Sequence, residues 1–143
     1  MLASAAVAEA LKILREMLDE IVAHSREEVP NECCGILTGI DGTVSVLDRT
    51  ENPFASPVRF EISPEALYES WKRAEERGED IVGFYHSHVE APAYPSQTDV
   101  NWAVNWPQVV HVICSLGGDE PVVKGFSISD GHVEEVELVA RGD

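Results

Sequence analysis

Residues 81–99 read IVGFYHSHVEAPAYPSQTD, and both the fold and the chemistry of this 143-residue chain turn on that stretch. Residues 81–88 pass from apolar to polar and predict a strand that starts in a core and ends at a surface. Strand side chains alternate faces, so His86 and His88 project to one side and Ser87 to the other. Two neutral imidazoles on one face suit zinc, which needs at least one further ligand and, where catalytic, an open position for water. A pair of surface histidines at a strand's end has the same spacing, so the His-x-His pattern alone does not separate the two readings. Pro92 and Pro95 rule out regular structure in residues 89–95. Ser96 then opens a helix to about Trp106, closed by Pro107.

Asp99 stands in the first turn of that helix and is a candidate third ligand. Ser96 and Asp99 also have the spacing of a capping box, with Asp in place of the usual Glu or Gln. An aspartate turned back to the backbone would not be free for a metal, and the residues by themselves leave the two readings level. Glu90 follows His88 by two and would share its face if the strand continued, which the prolines oppose. Upstream, Glu32 precedes an apolar run and has the chemistry of a general base for a metal-activated water. On its own it is one carboxylate among 26 acidic residues.

The rest of the chain alternates helix and strand signals. Leu14, Met17, Leu18, Ile21 and Val22 recur at helical spacing opposite Glu16, Asp19 and Glu20, giving an amphipathic helix that ends near Glu28 before Pro30. Residues 33–40 read as a buried strand, paired through Asp41-Gly42 with a second strand at residues 43–47. A proline-rich loop at residues 51–57 leads to a short alternating strand at residues 58–62. Ser63-Pro64 then starts a helix, with Leu67, Trp71 and Ala74 on one face, that Gly78 ends. Residues 109–115, 122–128 and 132–138, separated by Gly117-Gly118 and Asp130-Gly131, predict a closing meander. The expected class is α/β, of the α+β type: a single mixed sheet with flanking helices. Residues 1–10 read as an alanine-rich extension and residues 11–143 as one domain.

Composition bounds the function from the other side. With a formal net charge of −16, the long-range field repels phosphate backbones and anionic headgroups, so nucleic acid and membrane surfaces are excluded as expected partners. No apolar run approaches the roughly 20 residues needed to cross a bilayer. The first ten residues lack the basic start of a secretory signal, so a cytoplasmic location is expected. Cys33, Cys34 and Cys114 form no secreted-type framework, and the apolar run at residues 33–37 favours small buried hydrophobes over a cysteine nucleophile.

Taken together, Glu32 within Asn31-Glu32-Cys33-Cys34-Gly35, then His86-Ser87-His88, seven residues, Ser96, two residues and Asp99 closely resemble the signature of the JAMM (MPN+) zinc metallopeptidases. The resemblance runs from about Leu11 to Leu138 and takes in Asn52, Ser56 and Phe60. It implies a JAMM/MPN-like, cytidine-deaminase-like architecture for residues 11–143. It implies one Zn2+ per chain, held by His86, His88 and Asp99, with water as the fourth ligand. By the same likeness Glu32 is the general base, Ser96 helps stabilise the oxyanion, and Ser87 has a structural role.

The implied reaction is hydrolysis of an amide. Glu32 takes a proton from the activated water, the hydroxide attacks the carbonyl, and Glu32 returns the proton to the departing amine. Members of such a family cut after the C-terminal glycines of ubiquitin-like modifiers, and compact prokaryotic relatives act on sulfur-carrier proteins. Val89 stands where many members carry proline, which points away from the eukaryotic deubiquitinase branch. A Gly-Gly tail, narrow and extended, could lie along a strand edge, for which residues 58–62 are the candidate. Trp102 and Trp106, four apart on a helix, are assigned to the core. Two other classes compete: a metal-free MPN-type scaffold module, and a non-haem iron oxygenase, whose facial triad is also two histidines and a carboxylate.

Overall fold

A computed structural model describes residues 9–142. Of the expected N-terminal extension, residues 1–8 lie outside the described residues. Ala10 opens the first strand.

The strand carrying the histidine pair, β4 (Asp80–His88), sits between β2 (Cys34–Ile40), to which it is antiparallel, and β5 (Val110–Ser115), to which it is parallel. β2 turns into β3 (Thr43–Thr50) through Asp41-Gly42, both at positive φ, as that dipeptide predicts. β5 continues antiparallel into β6 (Val122–Ser129) and β7 (His132–Arg141), so the expected meander is present. α1 (Arg15–Glu28), α2 (Pro64–Glu76) and α3 (Gln97–Trp102) flank the sheet, and α3 runs on into a 3-10 turn at Ala103–Asn105.

Two expectations fail, each for a physical reason. A strand the helical reading overlooked, β1 (Ala10–Leu14), lies parallel to β7 and bridges β3 through Lys12 and Thr43, closing the mixed sheet into a barrel. Its buried Leu11 and Ile13 alternate with less buried neighbours, a period of two that is too short to stand out beside the helix that follows. Residues 58–62, by contrast, form no strand. The Asn52 side chain donates to the Arg59 carbonyl and accepts from the Glu61 N–H, bonds that a neighbouring strand would otherwise supply. The proposed substrate edge at these residues is therefore corrected to an extended loop.

Alternation along β4 sorts the two faces of the sheet. Tyr85 joins Leu37, Val112 and Cys114 against Ile21 and its neighbours on α1, and the Tyr85 hydroxyl meets His24 Nδ1 of that helix at 2.7 Å. Gly35 leaves room for this ring, because a Cβ there would come within 2.1 Å of it. Phe84 points the other way and packs with Ile36, Phe60 and Ile62 beneath α2, with Trp102 and Trp106 against the same cluster. Both tryptophans are partly buried and pack against the core. His86 and His88 continue the Phe84 face beyond the apolar layer, at the carboxyl end of β4 and next to the start of α3.

Candidate metal centre

The strand direction delivers both imidazoles to one buried place. His86, His88 and Asp99 are 4%, 3% and 7% exposed, and their ligand atoms lie within 4.8 Å of one another. His88 Nε2 is 2.9 Å from Asp99 Oδ2, His86 Nε2 is 3.2 Å from the same oxygen, and the two Nε2 atoms are 3.2 Å apart. The Phe60 ring stacks on His86 with centroids 4.3 Å apart and planes 19° from parallel, which restrains the imidazole plane.

His88 Nδ1 lies 2.8 Å from the Pro92 carbonyl, an acceptor, so that nitrogen carries the ring proton. Neutral His88 then turns the lone pair of Nε2 toward another imidazole nitrogen and a carboxylate. Two imidazole nitrogens and an anionic oxygen facing each other out of water need a proton or a cation between them. Charge follows that logic. Burial opposes ionisation of Asp99, but the facing imidazoles and the Ser96 N–H hold its carboxyl well below the usual range. Burial likewise opposes a charged His88, yet Asp99 and the Pro92 carbonyl outweigh it and raise its pKa. The donor set is one that zinc accepts, two nitrogens and a carboxylate oxygen, with a histidine oriented by a backbone carbonyl.

One oxygen of Asp99 meets both the helix cap and the histidine pair. Ser96 Oγ accepts from the Asp99 N–H and Asp99 Oδ2 accepts from the Ser96 N–H, so the capping box is complete. That same Oδ2 faces both histidines. The capping aspartate is thus turned toward the two histidines as well as toward the backbone. Ser96 is exposed, and because its oxygen is the acceptor for Asp99, its own proton is free to be donated.

Glu32 arrives from the far side, at the entry to β2. Its N–H donates to the Ser56 carbonyl, its carbonyl accepts from Asn52 Nδ2, and the next residue's N–H donates 2.8 Å to Ser87 Oγ. Ser87, turned away from the cluster, thus ties β4 to the segment that carries Glu32. Glu32 is 5% exposed, and its Oε1 is buried with no hydrogen-bond partner among the described residues. Burial pushes its pKa up to about 8, with His88 pulling down and Asp99 pushing up by less. Glu32, His88 and Ser96 share a cleft of about 460 Å³ walled by Pro57 and Val58 on one side and Val89 to Ala91 on the other.

The rivals fall away. Glu90 is exposed and outside the ligand group. Cys33 and Cys34 are buried, and burial raises both thiols, Cys34 to about 12, so neither is a thiolate near neutral pH. Sequence reasoning assigned no role to the Pro92 carbonyl, since a backbone acceptor leaves no side-chain signal. It named Phe60 without the stacking on His86.

A closed mixed sheet with helices on both faces, carrying a buried His-His-Asp group able to hold a metal ion, defines the class of molecule. Residues 14–128 match the family model described as prokaryotic homologs of the JAB domain, and the chain belongs to that family, the prokaryotic JAMM/MPN+ proteins. It is 38% identical to a desampylase of Haloferax volcanii over 76% of this chain and 82% of that one. It is 33% identical to a CysO-cysteine peptidase of Mycobacterium tuberculosis over 87% of each. Among solved structures, a protein from Desulfitobacterium hafniense aligns with a TM-score of 0.83 at 31% identity over 93% of this chain and 94% of that one. A JAB1/MPN domain protein from Archaeoglobus fulgidus shares the fold, with a TM-score of 0.62 at 21% identity over 92% and 100%. The expected JAMM/MPN-like fold is thereby borne out.

Proposed function

We propose that this chain is a cytoplasmic zinc metallopeptidase, with residues 11–143 as its catalytic domain, that hydrolyses the amide bond after the C-terminal Gly-Gly of a ubiquitin-like or sulfur-carrier protein. The observation that carries the reading is the buried carboxyl of Glu32, whose Oε1 has no partner among the described residues and which lines the same cleft as His88 and Ser96, the site where the His86, His88 and Asp99 atoms converge. A buried acceptor without a partner costs about 1–3 kcal/mol, which a folded protein retains where the group serves chemistry. The desampylase and CysO-cysteine peptidase names of the relatives support the substrate class.

His86, His88 and Asp99 would hold one Zn2+ per chain, which when bound supplies a Lewis acid and lowers the pKa of water in the site. Glu32 accepts the proton that the attacking water loses and returns it to the departing amine; burial raises its pKa to about 8 in the metal-free site, and a cation held by His86, His88 and Asp99 would lower it toward the ionised form this role needs. The Ser96 hydroxyl donates to the oxygen on which negative charge develops. Pro57, Val58, Val89 and Ala91 line the cleft in which the Gly-Gly tail would lie. The test is incubation of the zinc-loaded protein with a panel of ubiquitin-like and sulfur-carrier fusions, followed by mass spectrometry of the products. A cut after Gly-Gly is the expected result. Intact fusions throughout, or a cut elsewhere, would refute the substrate assignment.

A further inference from the structure

Beyond the ligands, the carbonyl that orients His88 must itself be held in place, and it belongs to an exposed loop. Residues 89–92 leave β4 at His88 and double back over the end of β5. One hydrogen bond to the loop, with two more around its anchor, holds them there. Ser115, the last residue of β5 and 4% exposed, donates from Oγ to the Ala91 carbonyl at 2.6 Å. The Gly117 N–H donates to that same Oγ at 3.2 Å, and the Leu116 N–H donates to the His88 carbonyl at 3.0 Å. At Gly117 the loop comes so close that a Cβ would lie 2.1 Å from the Glu90 carbonyl oxygen.

The consequence reaches the metal centre through one peptide unit. Fixing the Ala91 carbonyl fixes the plane of the Ala91–Pro92 bond. Pro92 has little freedom of its own, because its ring sets φ. Its carbonyl then accepts from both His88 Nδ1–H and the Tyr94 N–H. Neither Ser115 nor Gly117 lies in the cluster or its motif. We propose that Ser115, with Gly117 beneath it, is a positioning residue: it clamps residues 89–92 so that the Pro92 carbonyl holds His88 in the tautomer and orientation that present Nε2 to the metal. The same clamp sets the Val89 to Ala91 wall of the cleft. This inference rests on the zinc reading above, and its test separates the two.

Zinc affinity is measured by competition with a chromophoric chelator for the wild type and for Ser115→Ala, Ser115→Thr and Gly117→Ala. The melting temperature of each metal-free protein is taken alongside. Outer-shell partners of metal-bound histidines typically contribute 10–100-fold in affinity. With one peptide unit intervening, Ser115→Ala is expected to weaken zinc binding about tenfold while the metal-free melting temperature falls by only a few degrees. Ser115→Thr, which keeps the donor, recovers most of the loss. Gly117→Ala, which pushes on the Glu90 carbonyl without touching the hydroxyl, weakens binding in the same direction. Zinc affinity within twofold of wild type for both Ser115→Ala and Gly117→Ala would overturn the positioning role and leave the zinc reading standing. A wild type that binds no zinc would overturn both.

Discussion

Phe60 lies flat on His86, centroids 4.3 Å apart and 19° from parallel, although the two residues come from a loop and a strand that share no ladder. The loop is held there by Asn52, whose side chain reaches the Glu32 and Arg59 carbonyls and the Phe54 and Glu61 N–H groups. A single amide thus positions both Glu32 and the ring that stacks on His86. Truncating a buried phenylalanine costs about 3–5 kcal/mol. Phe60→Ala is expected to lower stability by an amount in that range and also to weaken zinc binding, read by chemical denaturation and chelator competition. Loss of stability with unchanged zinc affinity would confine Phe60 to packing.

Glu32 links metal-free stability to pH. Its folded pKa of about 8 lies above the ordinary carboxyl value of 4.5, so the folded state binds the proton more tightly. Stability from this source is complete below the unfolded pKa and is lost as pH rises from about 4.5 to about 8, beyond which the loss is constant. In the presence of chelator the wild type should therefore lose more melting temperature between pH 5 and pH 8 than Glu32→Gln, which carries no titrating proton. Parallel curves for the two proteins would show that the carboxyl is not protonated in the folded apo state.

Asp99 and Ser96 share a capping box, and their roles separate on substitution. Asp99→Asn removes the charge at Oδ2 that faces both histidines and is expected to abolish tight zinc binding. Ser96→Ala should keep the metal, lose about 1 kcal/mol of helix-cap stability, and lower turnover roughly 10²- to 10³-fold through loss of the oxyanion donor. Zinc content, melting temperature and rate together distinguish the outcomes. Turnover at the wild-type rate in Ser96→Ala would remove the serine from the chemistry.

Oxygen decides between hydrolysis and the iron alternative. Removal of metal by chelator should abolish cleavage, and zinc added under anaerobic conditions should restore it fully. Restoration only by iron with oxygen would assign the triad to an oxygenase.

How much of this was legible in the sequence follows the range of each signal. Alternation within β4 put His86 and His88 on one face, Asp-Gly marked the hairpin, and Ser63-Pro64 marked the α2 start, all from neighbours a few residues apart. β1 was missed because its partner β7 lies at the opposite end of the chain, and nothing in five residues announces the closure it makes. The alternating residues 58–62 looked like a strand, but the side chain of Asn52 takes the place of a ladder. The capping box at Ser96 and Asp99 was readable. That one oxygen could serve cap and cluster was not, because it depends on the crossing of α3 over the end of β4. The Pro92 carbonyl and the Ser115 clamp were invisible for the same reason: backbone acceptors become specific only once the loop is folded.

The central claim is that Glu32 acts as the base beside a metal held by His86, His88 and Asp99, and the most direct measurement is the turnover of zinc-loaded Glu32→Gln on a cleavable Gly-Gly fusion. General acid–base groups contribute about 10²- to 10⁴-fold. The expected result is a loss within or beyond that range at full zinc occupancy, since the glutamine lies outside the ligand set. Cleavage by the zinc-loaded variant at the wild-type rate would contradict it.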